Sequence, residues 1–231
     1  MKIDKHSIID GIIIPVFKPL TWTSFDVVKK IRNDIKKAYH LKKIKVGHAG
    51  TLDPLATGLL LICTGKKTKI IENLQNLDKT YYATFYLGKS TPSFDRETEF
   101  DNSYPIKHID EKLILESLKN FRGEIKQQPP IYSALKVNGK RLYELARNGE
   151  KIKIKYRDIK IFEFKLLKNN LPELDFKITC SKGTYIRSLA NDYGKKLKSG
   201  AYLKYLERYS IGDYNINEAY KLDELTSLFF Q

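Results

Sequence analysis

The chain has 231 residues, 42% of them apolar and 30% charged, and its 42 Lys plus Arg against 27 Asp plus Glu give a formal net charge of +15. That apolar share, with 15 Tyr and 11 Phe, supports a sizeable core and excludes a disordered chain, while the basic surplus calls for a polyanionic partner. The longest uncharged apolar stretch, Leu55 to Gly65, falls short of the ~18 residues of a membrane span, and Asp4 and Asp10 interrupt the N-terminal isoleucines, so neither anchor nor signal peptide is expected.

No repeat, Ser/Gly linker or low-complexity tract divides the chain, which predicts one continuous body over 1–231. Val27, Val28, Ile31, Ile35 and Ala38 recur at helical spacing behind Ser24, which is placed as the N-cap of an amphipathic helix with a basic outer side. Gly58 to Cys63 reads as a buried strand, and Ile70, Ile71, Leu74 and Leu77 as a short helix. Thr80 to Leu87 is aromatic and β-branched, the mark of a strand. Asp110 to Asn120 predicts a helix with Leu113, Ile114 and Leu118 inward. Strict alternation over 151–157, with lysines on one face, and over 174–180 predicts two half-buried strands. Leu222 to Phe230 is a final helical run. Helices and strands mix without regular βαβ alternation, so the expected class is α+β: a mixed, largely antiparallel central sheet flanked by helices.

Common cofactor signatures fail on inspection. Around Gly65-Lys66 the phosphate-loop pattern has Leu60 for its first glycine and Lys67 after the lysine. GxGxxG, HExxH and CxxC are absent, and His6, His40, His48 and His108 have no ligand spacing, so neither cofactor nor metal is expected. Cys63 and Cys180 both fall in apolar runs and read as core thiols of a reducing, cytoplasmic protein. The densest signal is VGHAGTLDPLATGLL, Val46 to Leu60, a tight loop that sets the Asp53 carboxylate at the mouth of a buried strand. So placed, a carboxylate serves as a nucleophile or a base, or merely bonds the amides of its own turn.

This stretch resembles the catalytic motif of the tRNA pseudouridine synthases of the TruB type, GH-x-G-x-LDP-x-A-x-G-x-L. KPLTWTSFDVV (Lys18 to Val28), DKTYYATFYLG (Asp78 to Gly88), QQPPIYSALKVNGKRLYELAR (Gln127 to Arg147), CSKGTYIRSLANDYG (Cys180 to Gly194) and AYLKYLERYSIGDY (Ala201 to Tyr214) match further family signatures in the same order. The resemblance covers nearly the whole chain. It implies the pseudouridine synthase fold with a catalytic cleft, and cofactor-free isomerisation of the T-loop uridine at tRNA position 55 after base flipping.

Residue by residue, the resemblance implies Asp53 as nucleophile, Tyr81 as the base and Arg187 as the partner of the catalytic carboxylate. His48 would handle the flipped base and Tyr185 would line the pocket, with Leu203 keeping its motif; Lys18 is read as structural or phosphate-facing. Asp95 matches a residue that contacts the substrate loop, although Pro92 and Phe94 alter the motif around it. Residues 124–152 correspond to an insertion that clasps the RNA, and Glu207 stands where arginine is common. No C-terminal PUA domain is expected after Gln231, so a monomer gripping the T arm through phosphate contacts is implied. Two other readings stand beside this one: a non-catalytic RNA-binding or tRNA-folding module on the same scaffold, and the same chemistry on another RNA.

Overall fold

The computed structural model describes residues 3–133, 135–137, 139–142 and 154–231. In chain order the first elements are α1 (Lys5–Asp10), β1 (Ile13–Lys18), α2 (Ser24–Ala38), β2 (Val46–Ala49), β3 (Thr57–Thr64), α3 (Ile71–Asn76) and β4 (Lys79–Leu87). There follow α4 (Glu111–Leu118), β5 (Gly123–Gln127), β6 (Arg157–Asn170), β7 (Glu173–Cys180), α5 (Ile186–Lys196), β8 (Ala201–Ile211) and α6 (Leu222–Phe229). Two compact units emerge, one formed by Met1–Tyr81 with Leu206–Gln231 and the other by Tyr82–Tyr205. Both boundaries fall inside strands, β4 and β8, and not in linkers. The fold class is α+β with a mixed, mostly antiparallel sheet.

In the first unit β3 runs antiparallel to β1 and β2, and parallel to the end of β8, with Glu207 opposite Thr57 and Arg208 opposite Gly58. The uninterrupted apolar run of β3 has a physical reason, because both faces of the strand are covered. Leu60 and Ile62 join Val27, Ile31, Ile35, Leu225 and Phe229 from α2 and α6 on one side. Leu59, Leu61 and Cys63 join Leu74 and Ile211 on the other. Ser24 is the first residue of α2, but the cap is Thr23, which shares a reciprocal capping box with Asp26. The Ser24 hydroxyl is committed elsewhere.

In the second unit the sheet order is the end of β4, then β7, β6 and β5. Phe85, Phe164, Phe176 and Tyr193 form its aromatic centre, and the Tyr193 hydroxyl donates to the Ile114 carbonyl at 2.9 Å. In the predicted helix Asp110 acts as the N-cap, accepting from the Leu113 amide, and Leu113 is only half-buried beside the buried Ile114 and Leu118. The strand expected over 151–157 is corrected: 154–156 have no regular structure, 151–153 lie outside the described residues, and β6 begins at Arg157. Its partner explains the boundary. Arg157 pairs with Gln127, the last residue of β5, and Pro129 and Pro130 soon follow, with no amide to offer a ladder. Of the expected insertion, 124–127 belong to β5, and residues 134, 138 and 143–153 lie outside the described residues. Among the described residues no helix is long and apolar enough to cross a membrane.

Candidate functional site

In the first unit the Asp53 loop is held from both sides. Only residues 50–56 are loop, because Val46–Ala49 form β2 and pair with β3. On one flank the Ser24 hydroxyl donates to the Leu52 carbonyl at 3.1 Å and accepts from the Leu52 amide at 2.8 Å. On the other flank the Pro54 carbonyl accepts from the Thr21 amide at 2.9 Å and from Lys18 Nζ at 3.3 Å. Asp53 itself is half-buried, and its carbonyl accepts from the Ala56 amide at 3.0 Å, closing the turn. Fixing the residues before and after Asp53 removes backbone freedom from its carboxylate.

Arg208, only 1% exposed, braces both ends of this loop. Its Nη2 donates to the Gly50 carbonyl at 3.0 Å and its Nε to the Leu59 carbonyl at 2.8 Å. Burial pulls its pKa below the ordinary arginine value, while Tyr81, through charge and a hydrogen bond, and the Asp53 carboxylate act to keep it charged. The close approach needs glycine. Gly58 has φ +106°, and a Cβ there would lie 2.4 Å from the Arg208 carbonyl oxygen.

Lys18, fully buried, donates to the carbonyls of Pro19 at 2.8 Å, Trp22 at 2.6 Å and Pro54 at 3.3 Å. Burial brings its ammonium down to about 8 from 10.5, with Asp53 opposing that shift and Arg208 reinforcing it. With no exposure, the Lys18 side chain is committed to these three backbone carbonyls. His48 lies in strand β2, where burial lowers its pKa, the Arg208 charge lowers it further and the Gly50 backbone opposes the shift. These influences together favour the neutral imidazole.

The second unit holds the remaining expected residues. Arg187, 3% exposed, pairs with the buried Asp95 at 3.5 Å and donates Nη1 to the Ser93 carbonyl at 3.3 Å. Asp95 Oδ1 also accepts from the Glu97 amide at 2.9 Å. Tyr185 stands at the N-cap position of α5, exchanging hydrogen bonds with the buried Gln127 side chain at 2.8 and 3.1 Å. Leu203, in β8, is buried and donates its amide to the Phe94 carbonyl at 2.9 Å. Asp53, Tyr81, His48 and Lys18 thus share the first unit, and Arg187, Asp95, Tyr185 and Leu203 the second.

Sequence reasoning passed over Arg208 as a functional residue and took Ser24 only for a cap. Parity held the signal for the first: Arg208 is two residues beyond the buried Leu206 on one strand, so both point to the same, inward face. For Ser24 no local signal exists, because its partner Leu52 is 28 residues away. Among the described residues no group of three or more His, Cys, Asp or Glu could hold a metal ion.

Known proteins resemble the chain over most of its length. The family model described as TruB family pseudouridylate synthase (N terminal domain) matches residues 36–186. The chain is 55% identical over 212 residues to tRNA pseudouridine synthase B of Flavobacterium johnsoniae, covering 91% of this chain and 93% of that one. Identity to the protein of the same name from Phocaeicola vulgatus is 52% over 214 residues, covering 93% and 91%. Among solved structures, the Cbf5-Nop10-Gar1 complex contains a chain similar at TM-score 0.73 and 28% identity, over 96% of this chain and 55% of that one. A second, the H/ACA RNP bound to a substrate RNA containing 2′-deoxyuridine, is similar at TM-score 0.69 and 26% identity, over 96% and 54%. The chain spans about half the length of these structural neighbours.

Proposed function

This chain belongs to the TruB family of pseudouridylate synthases, and from that premise we propose that it converts a tRNA uridine to pseudouridine, with Asp53 as the nucleophile. The reaction breaks N1–C1′, rotates the detached uracil and closes C5–C1′. Its product is an isomer of its substrate, so electrons and atoms balance without a co-reactant. Asp53 engages C1′ as N1 departs and is released when C5 attacks. On the alternative route through a deprotonated sugar carbon, Tyr81 as phenolate takes the proton of the carbon next to C1′ as N1 departs and returns it as C5 closes on C1′; on either route C5 loses one proton and N1 gains one. Arg208, hydrogen-bonded to Tyr81, favours the phenolate that Tyr81 must carry before it can accept that proton. In this reading Arg187 pairs with the catalytic carboxylate, His48 packs against the flipped base, and Tyr185 and Leu203 line the pocket.

The single observation that carries the reading is the Asp53 loop, whose neighbours on both sides are bonded in place while an arginine charge sits beside the carboxylate. A module that only bound RNA would have no use for a carboxylate so immobilised. The substrate site we assign is the T-loop uridine at position 55, reached by flipping the nucleotide out of its stack. A cytoplasmic monomer is the setting we infer, in keeping with two buried cysteines that form no disulfide.

An unmodified tRNA transcript incubated with the protein, followed by pseudouridine mapping, tests this directly. One modified T-loop position is expected, with Asp53→Asn slower by at least about a thousandfold. An untouched transcript, or full activity in Asp53→Asn, would sink the proposal.

A further inference from the structure

A groove of about 910 Å³ opens in the first unit between α2, the 42–47 segment and the short 3-10 turn Gly65–Ile70. Arg32, Lys36, Lys42, Lys43, Lys45 and Lys69 all line it, and none of its lining residues is acidic. The α2 lysines are not all alike: Lys30 is paired with Asp34 at 3.0 Å, whereas Lys36, one turn beyond Arg32, faces this groove. Lys66, also in the lining, is paired with Asp10 at 2.7 Å. Among the described residues, Lys36, Lys42, Lys43, Lys45 and Lys69 have no carboxylate at ion-pairing distance, and all five are exposed. Like charges gathered without counter-charges repel each other, and a polyanion removes that cost.

The walls are also fixed in advance. The Arg32 guanidinium donates to the Val46 carbonyl at 2.8 Å, and the Gly65 amide to the Lys45 carbonyl at 3.0 Å. Gly65 has φ +49°, and a Cβ there would lie 2.2 Å from the Ile9 carbonyl oxygen, so the turn approaches too closely for any other residue. The groove is continuous with the catalytic loop through one strand. Val46 and Gly47 line it, His48 follows on β2, and the Asp53 loop begins after Ala49. At ~3.3 Å per residue, Lys45 is about 10 Å along the strand from His48.

We propose that this groove is an RNA-contact surface that holds the phosphodiester backbone flanking the reacting uridine, a role that rests on the tRNA reading above. Cations spread across a groove of this size fit a run of phosphates, and a single phosphate ion would engage only a fraction of them.

The test is the triple variant Lys42→Gln, Lys43→Gln, Lys45→Gln, with the triple Lys→Arg variant as the charge-retaining control. Filter binding of tRNA is measured between 50 and 300 mM salt, with turnover at saturating tRNA. The Gln variant is expected to bind roughly ten- to a hundredfold more weakly at physiological salt, with a log–log salt slope shallower by about two to three. Turnover at saturation stays at the wild-type value, and the Arg variant binds like wild type. Unchanged affinity and slope in the Gln variant overturn the proposal, as does a fall in saturated turnover with affinity intact. Inorganic phosphate at matched ionic strength forms a second arm: binding of the free ion to wild type but not to the Gln variant, with tRNA affinity unaltered, also overturns it. If wild type binds tRNA through these lysines yet leaves it unmodified, the proposed function fails while the groove assignment stands.

Discussion

The ammonium of Lys18 sits beyond the reach of solvent, and all three of its hydrogen bonds go to backbone carbonyls. A charged amine offers three N–H donors and a neutral one only two, so deprotonation releases at least one carbonyl, and the 3.3 Å bond to Pro54 is the longest. Turnover is therefore expected to fall as pH rises through about 8. Stability moves the other way. The folded-state pKa of about 8 lies below the ordinary 10.5, so between those values the unfolded chain binds more protons and Lys18 favours folding increasingly as pH rises. Initial rates and urea midpoints from pH 7 to 10 check both signs. In Lys18→Met both Lys18-linked trends should vanish, with turnover lower by about ten- to a hundredfold because the Asp53 loop loses its anchor. An unaltered pH–rate profile in that variant would refute this role. At this scale the placing of Asp53 in a tight loop was legible, since a loop rich in Gly, Pro and Thr before an apolar strand is a local pattern, whereas a role for its carboxylate came only from the resemblance. It left Lys18 undecided between two roles, because its carbonyl partners include one 36 residues away.

Strands β3 and β8 meet where Gly58 faces Arg208, and that contact fixes both the sheet and the brace on the Asp53 loop. Gly58→Ala places a Cβ at φ +106° and 2.4 Å from a backbone oxygen, where no flexible side chain can give way. Backbone strain of about 1–2 kcal/mol adds to overpacking of about 1–3 kcal/mol, so a loss of roughly 2–5 kcal/mol is expected in urea unfolding. Turnover should fall as well, because Arg208 is displaced from Gly50 and Leu59. Wild-type stability in this variant would show that the strands separate easily. Elements were legible wherever their period came from burial on one side, as in α2, β4 and β7, or on both sides, as in β3. The start of β6 was not legible, because it is set by where its partner β5 runs out, and alternation continues past that point in the sequence. β8 was hidden by its own charges, since Lys204, Glu207 and Arg208 mask a strand whose buried positions include the arginine.

Over the whole molecule, the charge of +15 gains an address in the groove beside β2, which composition alone had no means of giving. The division into two units was invisible in the sequence because the chain passes between them within strands and no linker composition marks the boundary. Each unit carries one cysteine, Cys63 at 0% and Cys180 at 1% exposure. Burial pushes the Cys63 thiol up to about 11, so few thiolates exist at pH 8. Iodoacetamide at that pH is expected to leave both thiols intact in the native protein and to modify both in denaturant, so that site-resolved labelling at intermediate urea reports the opening of each unit separately. Rapid native labelling of Cys63 would contradict the packing of β3. The unit that holds Asp53 is also discontinuous, closed by residues from Leu206 onward. During synthesis Asp53 therefore leaves the ribosome long before the arginine that braces its loop, by roughly eight to thirty seconds at ~5–20 residues per second. A ribosome that stalls before Arg208 yields an Asp53 loop without its brace, so, on the function proposed above, nascent fragments are expected to show no turnover until translation has passed that codon.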